Sequence, residues 1–110
     1  MKVGIIRCQA TEDMCQGTTD FRVIRDKKCA FEGIDGNIDI VGFVSCGGCP
    51  GKKAITRAEE MVKKGADTIV LASCITKGNP IGFPCPHAQE IIAIIKKRLG
   101  DKVNILEYTH

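Results

Sequence analysis

Cys46-Gly47-Gly48-Cys49 places two thiols three residues apart, and five further cysteines and two histidines stand elsewhere in the 110 residues. A C-x-x-C pair suits two chemistries. It supplies half of a tetrahedral metal site, or it cycles between dithiol and disulfide. Its two glycines permit a tight turn that points both sulfurs one way. The helix that follows Pro50-Gly51 offers free N–H groups and positive potential, which favour thiolate.

Short apolar runs lead into several of the other candidates. Val3-Gly4-Ile5-Ile6-Arg7 runs into Cys8, Ile40 to Ser45 into Cys46, Ile69 to Ser73 into Cys74, and Val103 to Leu106 toward His110. If these runs are neighbouring parallel strands, their C-terminal ends gather thiols and imidazole at the sheet edge where open α/β sheets bind ligands. Cys85-Pro86-His87 is a second constellation. It lies in the loop that leaves Cys74, and that loop is long enough to fold back over it.

The elements needed to position these groups can be read in order. Residues 3–7 form a first strand. After a polar loop carrying Cys15, Thr19 caps a helix that turns Phe21, Ile24 and Phe31 to the core and stops at Gly33 and Asp35-Gly36. Residues 38–45 form a second strand. Ala54, Ile55, Ala58, Met61 and Val62 then fall on one face of a helix that ends at Gly65. Residues 67–73 form a third strand. A Gly- and Pro-rich loop from Cys74 through Pro86 follows, then a helix with Ala88, Ile91, Ile92, Ile95 and Leu99 inward, and a fourth strand at 103–107.

The order β-α-β-α-β-α-β predicts an α/β fold of three layers: a four-stranded parallel sheet in spatial order 2-1-3-4, a truncated Rossmann- or flavodoxin-like arrangement with right-handed crossovers. The first helix covers one face and the other two helices the opposite one. The third strand is apolar on both sides. Its under-covered face is expected to meet the Cys8 to Thr19 loop or a second subunit, giving a homodimer.

Composition bounds the rest. One domain spanning 1–110 is the reading of this length. Hydrophobic residues make up 44% and charged residues 26%, as in ordinary globular proteins, and the net charge of +3 is too mild to argue for nucleic acid. With no Trp, one Tyr and four Phe, base-stacking platforms have little to build on. The apolar stretch after Met1 is too short for a signal-peptide core, and no run approaches a membrane span. The chain is therefore placed in the cytoplasm, with no nucleic-acid or membrane partner. There, cysteines serve as metal ligands or redox groups rather than as a disulfide framework.

Adjacent strands lie about 4.8 Å apart, which sets Cys46, Cys8 and Cys74 side by side. Thiolates at 4 Å repel by roughly 4 kcal/mol at an effective dielectric of 20, so they stay protonated, are oxidised, or share a cation. From Cys46 to His110 the edge spans about 14 Å, whereas zinc holds its sulfurs at about 2.3 Å. One ion cannot take every candidate. The expected ligands are Cys8, Cys46, Cys49, Cys74, Cys85 and His87, with Cys15 and His110 further out. Cys29, two helical turns past Phe21, is expected to pack as a small buried hydrophobe.

Cys46-Gly47-Gly48-Cys49-Pro50-Gly51-Lys52-Lys53, Gly65-Ala66-Asp67, Ser73-Cys74, Cys85-Pro86-His87 and Thr109-His110 together resemble the CGGC-domain family over nearly the whole chain. The resemblance implies metal binding, by zinc or an iron–sulfur cluster, and brings no established reaction. Other motifs fail. The spacing from Gly47 to Lys53 does not make a phosphate-binding loop, Met14 stands where a small cysteine phosphatase needs Arg, and no dinucleotide fingerprint follows the first strand. Three functions remain from the residues: a non-catalytic metal-binding protein, a thiol-disulfide oxidoreductase using Cys46 and Cys49, and a purely structural metal or disulfide staple in an interaction module.

Overall fold

The computed structural model describes residues 1–110 apart from the side chain of Lys102. Four strands, β1 (Lys2–Arg7), β2 (Asp39–Ser45), β3 (Thr68–Leu71) and β4 (Asn104–Leu106), form one parallel sheet in the order β2-β1-β3-β4. This is the order expected from the sequence. Near-continuous apolar runs suit strands covered on both faces. Accordingly β1 is buried from Val3 to Arg7 and β3 along its whole length, without a second subunit.

The helices α1 (Thr18–Asp26), α2 (Lys52–Lys63), α3 (Ser73–Thr76) and α4 (Ala88–Leu99) complete the layers. Right-handed crossovers send α1 to one face and the pair α2 and α4 to the other. Met61 shows which face of β1 is which. A Cβ added at Gly4 would meet the Met61 sulfur at 2.9 Å, and one added at Gly42 would meet it at 2.8 Å. Two glycines on neighbouring strands thus let α2 sit close over the sheet. On the far face, Phe43 of β2 meets Phe21 of α1 with ring centroids 5.1 Å apart.

Several expectations change. α1 ends at Asp26 because Lys27 turns left-handed at φ 52, and the Lys27 and Lys28 N–H groups return to the Ile24 and Val23 carbonyls. Phe31 reaches the core from a separate 3-10 turn, Cys29–Phe31, where it is fully buried. Cys29, on the same turn, is exposed rather than packed inside. Phe21 keeps its contact with Phe43 but remains 40% exposed, so it caps the face instead of entering the core. Finally β3 stops at Leu71, and Cys74 belongs to the one-turn helix α3 rather than to a loop.

At the opposite edge of the sheet, Asp67 accepts the Lys2 N–H at 3.1 Å and the Thr68 hydroxyl at 2.9 Å. These hydrogen bonds, the hydroxyl first, hold its carboxyl below the ordinary carboxylate value. A depressed folded pKa adds stability that is full above the unfolded value near about 4 and fades as pH falls through the folded one. The stability difference between the native chain and Asp67→Ala, followed by urea melts, should therefore shrink from pH 6 toward pH 2. Gly4→Val should cost about 1–3 kcal/mol in the same melts, since the Met61 Cβ itself, at 3.2 Å, leaves no room for the added carbon.

Candidate metal and thiol site

Backbone pairing carries the strand ends past the strands themselves. The Cys46 N–H donates to the Arg7 carbonyl at 2.7 Å and the Ala72 N–H to the Ile6 carbonyl at 2.9 Å. This brings Cys8, Cys46 and the start of α3 to one edge. Beyond Cys46 the chain turns at Gly47 and Gly48, with φ of 82 and 100, a region where any side chain would be strained. Arg57 of α2 donates to the Ser45 carbonyl at 2.9 Å and to its hydroxyl at 3.0 Å, which fixes the root of the turn. The Gly/Pro loop is pinned in its turn by the Cys85 N–H on the Ile75 carbonyl, 2.7 Å, so that Cys85 faces the turn.

The result is a cavity of about 240 Å³ around which Cys8, Cys46, Cys49 and Cys85 stand, with Ile75 and Ile91 as apolar wall. Cys46 is buried, Cys8 and Cys85 are half-buried, and Cys49 is exposed; none is in a disulfide. Burial pushes the Cys85 thiol up. The His87 N–H opposes that at 3.4 Å, while Cys49, Cys46 and Cys8 add like-charge repulsion. Four sulfurs from three separate segments of chain therefore sense one another across one space.

The remaining candidates are placed elsewhere. Cys74, Cys15 and His110 line a second cavity of about 200 Å³ on the α1 side of the sheet, together with Asp20. Cys74 stands between the two groups, its sulfur accepting the Cys8 N–H at 3.1 Å. Burial raises the Cys74 thiol, and the Cys8 N–H partly offsets it. His87 borders neither cavity; its imidazole Nδ1 stands 4.0 Å from the Glu90 carboxylate. Among the described residues, no three His, Cys, Asp or Glu side chains are placed closely enough to hold one ion as they stand.

Sequence reading did not find the polar cluster behind the second cavity. Asp20, 2% exposed, accepts the Thr109 hydroxyl at 2.5 Å and lies 3.5 Å from His110 Nε2. Ser73 Oγ accepts the backbone N–H groups of Thr109 at 3.1 Å and His110 at 2.9 Å, and the Ser73 N–H donates to Thr109 Oγ1. Asp20 in the first turn of a helix was the available signal, but its partner lies 89 residues away.

The family model of the CGGC domain matches residues 2–110. This chain belongs to the CGGC domain family. Over 80 residues the CGGC chain is 38% identical to "Uncharacterized protein MJ0582" of Methanocaldococcus jannaschii, covering 67% of this chain and 62% of that protein, so it spans less than two thirds of that relative's length. "Uncharacterized protein MJ0766" of the same organism is 33% identical over 64 residues, 57% of this chain and 91% of its own. No solved structure matches the chain. Among its described residues no helix is long and apolar enough to cross a membrane.

The Asp20 cluster makes a measurable claim on stability. Thr109→Val keeps the side-chain shape but removes the hydroxyl that serves a buried carboxylate, and an unsatisfied buried acceptor costs about 1–3 kcal/mol, more when charged. Denaturant melts at pH 7 should show a loss of about 2 kcal/mol or more.

Proposed function

We propose that this CGGC protein binds a thiophilic metal centre, zinc or an iron–sulfur cluster, in the four-cysteine cavity, and does so in the reducing cytoplasm. One observation supports the reading above the others: Cys8, Cys46, Cys49 and Cys85, from three distant segments, surround the same space. Their donor kind and number suit zinc and iron–sulfur centres alike. The sulfurs do not converge as placed, so loading draws them inward. Cys49, exposed on its turn, is the member with the most room to move.

The cavity is larger than one ion needs. A single water requires about 10–15 Å³ of such space, and about 240 Å³ is present. The room suits a polynuclear centre, or one ion carrying an external ligand. Bound there, zinc would supply Lewis acidity and a cluster would supply one-electron transfer. The chain's own residues supply the sulfurs, and Ile75 and Ile91 provide a wall that limits water. His87, outside the cavity, acts on the site through its backbone N–H to Cys85 alone.

Anaerobic purification followed by elemental analysis and a visible spectrum tests the proposal. A cluster should give a thiolate-to-iron absorption, and zinc a colourless protein with stoichiometric metal. Cys46→Ser and Cys85→Ser should each lower affinity by more than the roughly 10–100-fold lost with an outer-shell partner. Cys29→Ser and His87→Ala should bind as the native chain does. Protein that stays metal-free after reconstitution, with all seven thiols reactive, would contradict the assignment.

A further inference from the structure

The cavity on the α1 side contains a carboxylate that the fold uses only in part. Asp20 is 2% exposed; the Thr109 hydroxyl donates to its Oδ1, and His110 Nε2 lies 3.5 Å from the same atom. A carboxylate has about four acceptor positions over its two oxygens. Among the described residues no hydrogen bond reaches Oδ2, and the sealed side-chain atoms without a partner are Arg7 Nε and Thr76 Oγ1. Oδ2 is therefore not sealed, and it opens onto the cavity that Asp20 lines. A charged oxygen so deep in the fold calls for a cationic donor.

The start of α1 supplies the opposite kind of group to the same cavity. Thr18, Thr19 and Asp20 all line it, and they are the first three residues of the helix. The first hydrogen bond within α1 runs from the Phe21 N–H to the Gly17 carbonyl, and Gly17 has no side chain with which to cap the N–H groups between them. Uncapped N–H groups at a helix start favour a carboxylate or phosphate. Met14 and Pro80 add apolar lining, and the volume of about 200 Å³ is below the roughly 300–1,000 Å³ of sites for drug-sized ligands.

We propose that this cavity binds a free amino acid with a small apolar side chain. Its ammonium meets Asp20 Oδ2, its carboxylate meets the free N–H groups at the start of α1, and its side chain lies against Met14 and Pro80. A zwitterion serves both polar features at once. An amine alone leaves the helix start unserved, and an acid alone brings its negative charge toward Asp20. The carboxylate is also set in place beforehand, because the Thr109 that donates to it is itself tied to Ser73 by hydrogen bonds in both directions. Such preorganisation lowers the ordering cost of binding. The site does not depend on what the four-cysteine cavity binds.

Three probes of one shape separate the two arms when titrated into the protein as purified: valine, isobutylamine, which lacks the carboxylate, and isovalerate, which lacks the ammonium. Calorimetry should show valine binding about tenfold tighter or more than either, the least that one hydrogen bond to a charged group is worth. In amide spectra valine should shift the Thr18, Thr19 and Asp20 signals and leave those of Gly47, Gly48 and Cys49 in place. Asp20→Asn keeps an oxygen for the Thr109 hydroxyl; it should weaken valine about 10–100-fold while isovalerate binds no worse. A purely structural role for Asp20 would weaken valine and isovalerate alike and overturn the assignment. So would isobutylamine matching valine, valine shifts confined to the four-cysteine cavity, or no valine binding at millimolar concentration. The probe comparison needs only the native chain, so it decides the matter even where circular dichroism shows the variant unfolded.

Discussion

Every group with chemistry in this CGGC protein depends on the position of β1 between β2 and β3. The ladder continues beyond the strand at both sides, through the Cys46 N–H on the Arg7 carbonyl and the Ala72 N–H on the Ile6 carbonyl. The first of these carries the β2 ladder one residue past Ser45, to Cys46, and the second brings the start of α3 against the end of β1. The pairing is parallel, so all the strand ends lie on one side and all the crossovers return on the other. That geometry makes one edge reactive and leaves the opposite edge to Asp67, which ties Lys2 to Thr68.

Alternation along β1 then divides that edge. Gly4 faces Met61, so Ile6 and Cys8 continue toward the α2 and α4 layer, while Ile5 and Arg7 turn to the α1 layer. Cys8 accordingly lines the four-cysteine cavity, and Arg7 lies behind Cys74. The α3 helix does the same on β3. By starting at Ser73 it turns Cys74 out of the strand direction and onto the α1 side, where it lines the second cavity. Small offsets at two strand ends are enough to sort Cys8 and Cys74 into separate cavities.

The sheet, its order and its helices were legible because apolar runs, glycine stops and helical periodicity are local signals. The gathering of Cys8, Cys46, Cys49 and Cys85 was legible too, since strand ends and the length of the loop to Cys85 bring them together whatever the side-chain details. The assignment of Cys74 was not. Its direction depends on where β3 gives way to α3, and the run from Ile69 to Ser73 reads as unbroken strand. Cys29 was misread for a related reason: the helical period from Phe21 does not survive the left-handed Lys27. Asp20 and Thr109 carry no local mark at all, because their bond joins residues 89 apart.

The two cavities are joined by the Cys8 N–H on the Cys74 sulfur, and also by α3, whose Cys74 lines one and Ile75 the other. The hydrogen bond joins backbone to side chain, so a change at the Cys74 sulfur is felt by the peptide that carries Cys8. The same peptide is held by the Thr11 hydroxyl, which donates to the Cys8 carbonyl at 3.2 Å. The same Thr11 accepts from Arg7 at 3.1 Å. Arg7, Thr11, Cys8 and Cys74 thus form one buried polar chain across the sheet edge, and in a low-dielectric setting such chains shift together rather than bond by bond. The Asp20 network lies only on the α1 side and reaches this chain through Ser73, next to Cys74. The β1 end thus links the cavities through hydrogen bonds, while α3 links them through the core residues Cys74 and Ile75.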